Sequence, residues 1–184
     1  MAPMNTRLRL LALVVGLQVL WIIGTAAFQE SRLARGTVVR LETVPVDPRD
    51  LLRGDYVILR YKISLLSPTL FANGATNAFK SGDAVYVKLE REGELHQPVL
   101  ASFDPITPDD AHPVLRGTVP APWSSEGRDR AEVHVEYGLE RYYVREGTGN
   151  PTGKLTVDVA VSRSGKGIIQ QVYVDGRPYA EAMR

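Results

Sequence analysis

"LLRGDYVILRY", residues 51–61, decides how this chain is read. A Gly-Asp corner runs straight into a β-branched and aromatic stretch in which Val57, Leu59 and Tyr61 alternate with Tyr56, Ile58 and Arg60. Glycine tolerates positive φ, and aspartate bonds nearby backbone amides, so the pair suits the end of a turn and the start of a strand. The period of two then predicts one face turned to a core and one turned away. The same device recurs at "SGDAVYVKL" (81–89), where Val85, Val87 and Leu89 fall in phase with Val57, Leu59 and Tyr61. The Arg53-Gly54-Asp55 tripeptide also spells an adhesive motif, but the turn role already accounts for its glycine and aspartate.

Similar alternation marks the rest of the chain beyond residue 36. The runs are 37–44, 55–63, 83–91, 96–103, 113–119, 131–138, 154–161 and 167–176. "EGE" (92–94) and "SRSGKG" (162–167) predict hairpin connections. Short strands divided by 12 prolines and 16 glycines predict a mostly β body, a compact antiparallel barrel or sandwich. One or two short helices are expected: a turn at "DPRDLL" with Asp47 capping and Pro48 first, and a piece of the irregular "SPTLFANGATNAF" (67–79).

The N-terminus is different. Arg7 and Arg9 precede "LLALVVGLQVLWIIGTAAF" (10–28), which is uncharged and holds one strongly polar residue, Gln18. As a helix it spans about 28 Å, against a hydrocarbon core of roughly 30 Å. A cleaved signal peptide has a shorter apolar region, so the run predicts a single-pass transmembrane anchor. The preceding arginines predict a cytoplasmic N-terminus (1–9), a linker at 29–36 and an extracytoplasmic β domain over 37–184. The expected location is a bacterial inner membrane, with the body on the periplasmic or extracellular side.

A formal charge of +1 with interspersed signs predicts no nucleic-acid partner. The chain has no cysteine, which excludes disulfides, thiol catalysis and thiolate metal sites. His96, His112 and His134 lack the close spacing of a helical zinc pair. Asp104, Asp109, Asp110 and His112 lie close together, and Glu140 and Glu146 form a carboxylate pair, but a solvated turn and a loop are the ordinary explanations. No catalytic, metal or cofactor site is therefore expected.

Gly54-Asp55-Tyr56-Val57-Ile58-Leu59-Arg60-Tyr61 resembles the motif that names the GDYXXLXY family, and it matches at every specified position. "PVDPRDLLRGDYV" (45–57), "YGLERYYVREGTG" (137–149) and "LTVDVAVSRSGKGIIQQVYVDGRPY" (155–179) resemble that family's other recurring stretches. The resemblance implies a membrane-anchored bacterial protein without an assigned activity, often encoded beside polytopic membrane proteins. It carries no catalytic residues over. The motif positions Gly54, Asp55, Tyr56, Leu59 and Tyr61 form the first candidate binding set, with Tyr142, Tyr143 and Glu146 as a weaker one.

 Leu59 carries the motif's apolar position, and its neighbours Val57 and Tyr61 share its phase.

Signal-peptidase-like serine proteases also place a β domain behind a membrane anchor, with a Gly-Asp corner shortly after the nucleophile. Here Pro45 and Val46 stand where that nucleophile is needed, so Lys62, Lys80 or Lys88 has nothing to activate. The leading expectation is a non-catalytic accessory or docking module for an integral membrane or envelope partner. The alternatives are an envelope hydrolase using Asp104–His112 or Glu140 and Glu146, and a binder of a small ligand through Tyr56, Tyr61, Tyr137, Tyr142 and Tyr143.

Overall fold

A computed structural model describes residues 6–34, 36–44, 56–71, 79–121, 132–144, 151 and 153–183. The expected helical turn at Asp47 and Pro48, the Gly54-Asp55 corner, Pro45, Val46 and Glu146 lie outside the described residues. The chain divides into two compact units, Met1–Arg35 and Gly36–Arg184.

The first unit holds one helix, α1 (Thr6–Ala34), which contains the apolar run. Its described side chains from Leu10 to Ile23 are exposed, among them Leu20 at 71% and Trp21 at 75%. Among the described residues, no helix is long and apolar enough to cross a membrane. The 19-residue run read from the sequence ends at Phe28, beyond Thr25, the last helix side chain described.

The second unit is mostly β. Strands β1 (Thr37–Glu42), β2 (Tyr56–Ile58), β3 (Leu65–Leu66), β4 (Ala84–Glu92), β5 (Leu95–Ser102) and β6 (Val114–Thr118) come first. Then follow β7 (Val133–His134), β8 (Arg141–Tyr143), β9 (Leu155–Val161), β10 (Gly167–Val174), β11 (Arg177–Pro178) and a short helix α2 (Tyr179–Ala182). They form antiparallel sheets in the orders β1-β9-β10-β11 and β5-β4-β6, with two-stranded pairs β2-β8 and β3-β7. Alternate residues of both larger sheets meet in one core: Val39 and Leu41, Val157 and Val159, Val85, Val87 and Leu89, and Leu115. Burying such side chains contributes about 1.5–3 kcal/mol each relative to exposure.

The described sheets do not close into a barrel, which corrects that half of the fold expectation. Closure needs an unbroken backbone ladder. At the edge of β1 the amide of Arg40 donates instead to the His96 Nδ1 of β5, at 3.1 Å. Strand β5 also carries Pro98, which has no amide to donate, and its register against β4 shifts between Lys88 and Leu89.

The repeated strand start is visible at its second copy. Gly82 adopts φ +92°, and Asp83 Oδ2 accepts from the Lys80 amide at 2.7 Å. The amide of Gly82 donates to Val119, and the amide of Val119 donates back to Asp83. Val85, Val87 and Leu89 are buried, and so are Val57, Leu59 and Tyr61, as the shared phase requires. The copies then diverge. Strand β4 continues to Glu92, whereas β2 stops at Ile58 and a 3-10 turn occupies Lys62–Ser64, so the strand expected over 55–63 is cut short. The physical reason is a change of partner: the Leu59 amide donates to Glu140, and Tyr61 bridges to Thr43. Within 67–79 the described helical piece is a 3-10 turn, Pro68–Leu70, capped by Ser67.

Candidate functional site on a tyrosine-bearing strand pair

The two stretches that stood out in the sequence, 56–61 and 137–143, are neighbours in space. In the β2-β8 pair, Tyr56 lies opposite Tyr143, Val57 opposite Tyr142, and Ile58 opposite Arg141. Residues directly opposite share a face, so the pair sorts its side chains into two groups.

The inward group is structural. Val57 and Leu59 enter the core, and Tyr142 packs against it, with its ring 5.5 Å from that of Tyr179 in an edge-on contact. Tyr61 is 2% exposed and donates its hydroxyl to the Leu139 carbonyl at 2.9 Å. Tyr137 is 7% exposed and donates to the Ile63 carbonyl at 2.6 Å. The two phenols thus brace the same pair of segments in opposite directions. Burial pushes both hydroxyls well above the ordinary tyrosine range, with Glu140 adding to the effect. They are donors of structural bonds.

The outward group reaches solvent, with Arg141 and Tyr143 exposed and Tyr56 and Ile58 half-buried. Tyr143 is 72% exposed, and its ring meets that of Tyr56 edge-on at 6.0 Å. The Arg141 guanidinium lies 5.5 Å from the centre of the Tyr56 ring, within cation–π range. Two aromatic rings and a guanidinium therefore form one ledge, a combination enriched where proteins recognise partners.

Glu140 Oε1 accepts from the Tyr137 amide at 2.6 Å and closes the turn that carries the Tyr137 hydroxyl donor and the Leu139 carbonyl acceptor. Asp109 and His112 are brought together, Oδ1 to Nδ1 at 2.8 Å, and Lys88 reaches the second carboxylate oxygen at 2.9 Å. The amides of Ala111 and His112 also donate to Asp109, so this carboxylate organises its own loop. Lys88, followed by His112, holds its carboxyl below the usual carboxylate range. The Asp104 amide donates to Ser102 Oγ at 2.9 Å, so Ser102 caps the turn that carries Asp104. Of the lysines weighed as bases, Lys62 pairs with Glu42 at 2.7 Å and Lys88 with Asp109. His134 sits on β7 opposite Leu65. Among the described residues, no group of three or more His, Cys, Asp or Glu side chains is placed to hold a metal ion.

Two charged clusters were not singled out in the sequence. Arg40 makes a two-pronged bond to Asp158 at 2.7 and 2.8 Å beside the Tyr173 ring. Glu42, whose side chain is only 11% exposed, is shared between Lys154 and Lys62 at 2.8 and 2.7 Å. Both clusters join residues distant in sequence, and only the β1-β9 register, which sets Arg40 opposite Asp158, reveals the first.

The fold and the ledge define a mostly β protein with an aromatic surface to which the motif contributes Tyr56 and β8 contributes Arg141 and Tyr143. The family model for GDYXXLXY protein matches residues 18–172, and the chain belongs to that family. No curated protein and no solved structure matches the chain.

Proposed function

We propose that this chain is a single-pass, membrane-anchored protein whose extracytoplasmic β domain serves as a non-catalytic docking module for an integral membrane partner. The observation that carries the reading is the division of the motif region. Leu59 and Tyr61 are consumed by the core, while Tyr56, Arg141 and Tyr143 form an outward ledge. Docking uses such a ledge, and catalysis does not require it. The carboxylates with lowered pKa values face cations or loop amides that explain them structurally.

The uncharged run at 10–28, with Arg7 and Arg9 ahead of it, supports an anchor in a bacterial inner membrane with the body on the periplasmic or extracellular side. For the body, two larger sheets contributing to one core favour a sandwich-like packing. A second reading, capture of a small envelope ligand, draws on the same ledge, because aromatic rings and a guanidinium also stack on planar or sugar-like surfaces.

Purification of the full-length chain from its native membrane in mild detergent tests the proposal. A stoichiometric integral membrane protein in the eluate supports docking. Isolation of the chain alone contradicts it and moves weight to the ligand reading, which thermal stabilisation by candidate ligands then examines.

A further inference from the structure

Two polar positions of α1, Gln18 and Thr25, share one face. At 3.6 residues per turn, Val14, Gln18, Trp21 and Thr25 fall on a single narrow stripe, and Val14, Leu17, Gln18, Trp21 and Ile22 line one shallow groove along it. Thr25 is satisfied within its own helix, its hydroxyl bonding to the carbonyls of Trp21 at 3.0 Å and Ile22 at 2.9 Å. The Gln18 carboxamide has no such recourse: among the described residues, nothing bonds it. It also lies within one residue of the middle of the 19-residue uncharged run.

We infer that Gln18 pairs the anchor with a second copy of this chain, through reciprocal hydrogen bonds between the two carboxamides. The inference rests on the reading of α1 as a membrane anchor. In hydrocarbon an amide without a partner is costly, and polar side chains there bond across helices. A carboxamide both donates and accepts. A second copy with the same orientation brings an identical group to the same depth, so each amide satisfies the other without a third component. Two-fold pairing also places equivalent residues of one stripe against each other.

The absence of cysteine makes the test direct. In membranes containing the full-length chain, Val14→Cys places a single thiol on the Gln18 stripe, and Ala12→Cys places one on the opposite side at similar depth. The expected result is an oxidised dimer for Val14→Cys and not for Ala12→Cys. Adding Gln18→Leu to Val14→Cys lowers the pairing constant by roughly 3- to 20-fold, and Gln18→Asn retains most of it. Equal crosslinking from both faces, or no effect of Gln18→Leu, overturns the pairing. A crosslink to a different protein overturns the second copy as occupant. Alkaline extraction of the same membranes separates the two levels: release of the chain overturns the anchor reading itself, whereas retention without face-dependent crosslinking overturns only the pairing.

Discussion

The Tyr61 hydroxyl donates to the Leu139 carbonyl across 2.9 Å, tying the last residue of the signature motif to a turn far along the chain. Tyr137 returns the bond to Ile63. Removing either hydroxyl leaves a buried carbonyl without its donor, at a cost of about 1–3 kcal/mol. Tyr61→Phe and Tyr137→Phe are each expected to lower Tm by a few degrees, at about 2–4 °C per kcal/mol for a domain of this size. Because they brace the same segments, the double substitution is expected to depart from additivity. Thermal unfolding of the two single variants and the double variant checks this, and a Tm unchanged in both single variants contradicts the brace.

The strand-start device carries its own expectation. Gly82→Val forces a β-branched side chain into φ +92°, where such residues are outliers, and a loss of about 2 kcal/mol or more is expected. Asp83→Asn keeps an acceptor for the Lys80 amide and is expected to cost less than 1 kcal/mol. If the echo between the two corners is physical, Gly54→Val and Asp55→Asn reproduce this ranking. A destabilising Asp55→Asn beside a tolerated Gly54→Val contradicts it.

Acid is expected to weaken the body in two stages. Burial lowers the His96 pKa, and protonating Nδ1 also removes the acceptor for the Arg40 amide. This contribution is complete above the ordinary imidazole value of about 6.5 and is lost as pH falls below it. Glu42, held low chiefly by Lys154 and then Lys62, and Asp158, held low by Arg40, behave alike at a lower pH. Their contribution is present above the ordinary carboxylate value of about 4 and is lost as pH falls through the lowered one. His96→Gln should abolish the first stage, and Glu42→Gln should blunt the second. Tm measured from pH 8 to pH 3 reads both, and a flat profile contradicts them.

The period-two runs were legible because alternation is local: Val85, Val87 and Leu89 announce their buried face without knowledge of any partner. Pairing is a different matter. Nothing near Tyr56 specifies Tyr143 as its opposite, since register between distant strands is set by the whole core. The sequence pattern likewise could not distinguish closed from open sheets, because the decision rests on how the edges of β1 and β5 meet, at His96 and Arg40. Strand β11 was missed although Asp175-Gly176, with both φ values positive, is a strong hairpin signal. The ledge was half legible. Tyr56 and Tyr143 were candidates from the sequence, whereas Arg141 enters only through its place opposite Ile58 and over the Tyr56 ring.

The central claim is that the outward ledge docks a partner while the inward face holds the fold. Its most direct test compares the full-length chain with Arg141→Ser and Tyr143→Ser, measuring both the partner recovered in mild detergent and Tm. Exposed substitutions of this kind are expected to change stability by no more than about 0.5 kcal/mol. The account predicts that recovery of the partner falls while Tm holds. Undiminished recovery in both variants at unchanged Tm would contradict it.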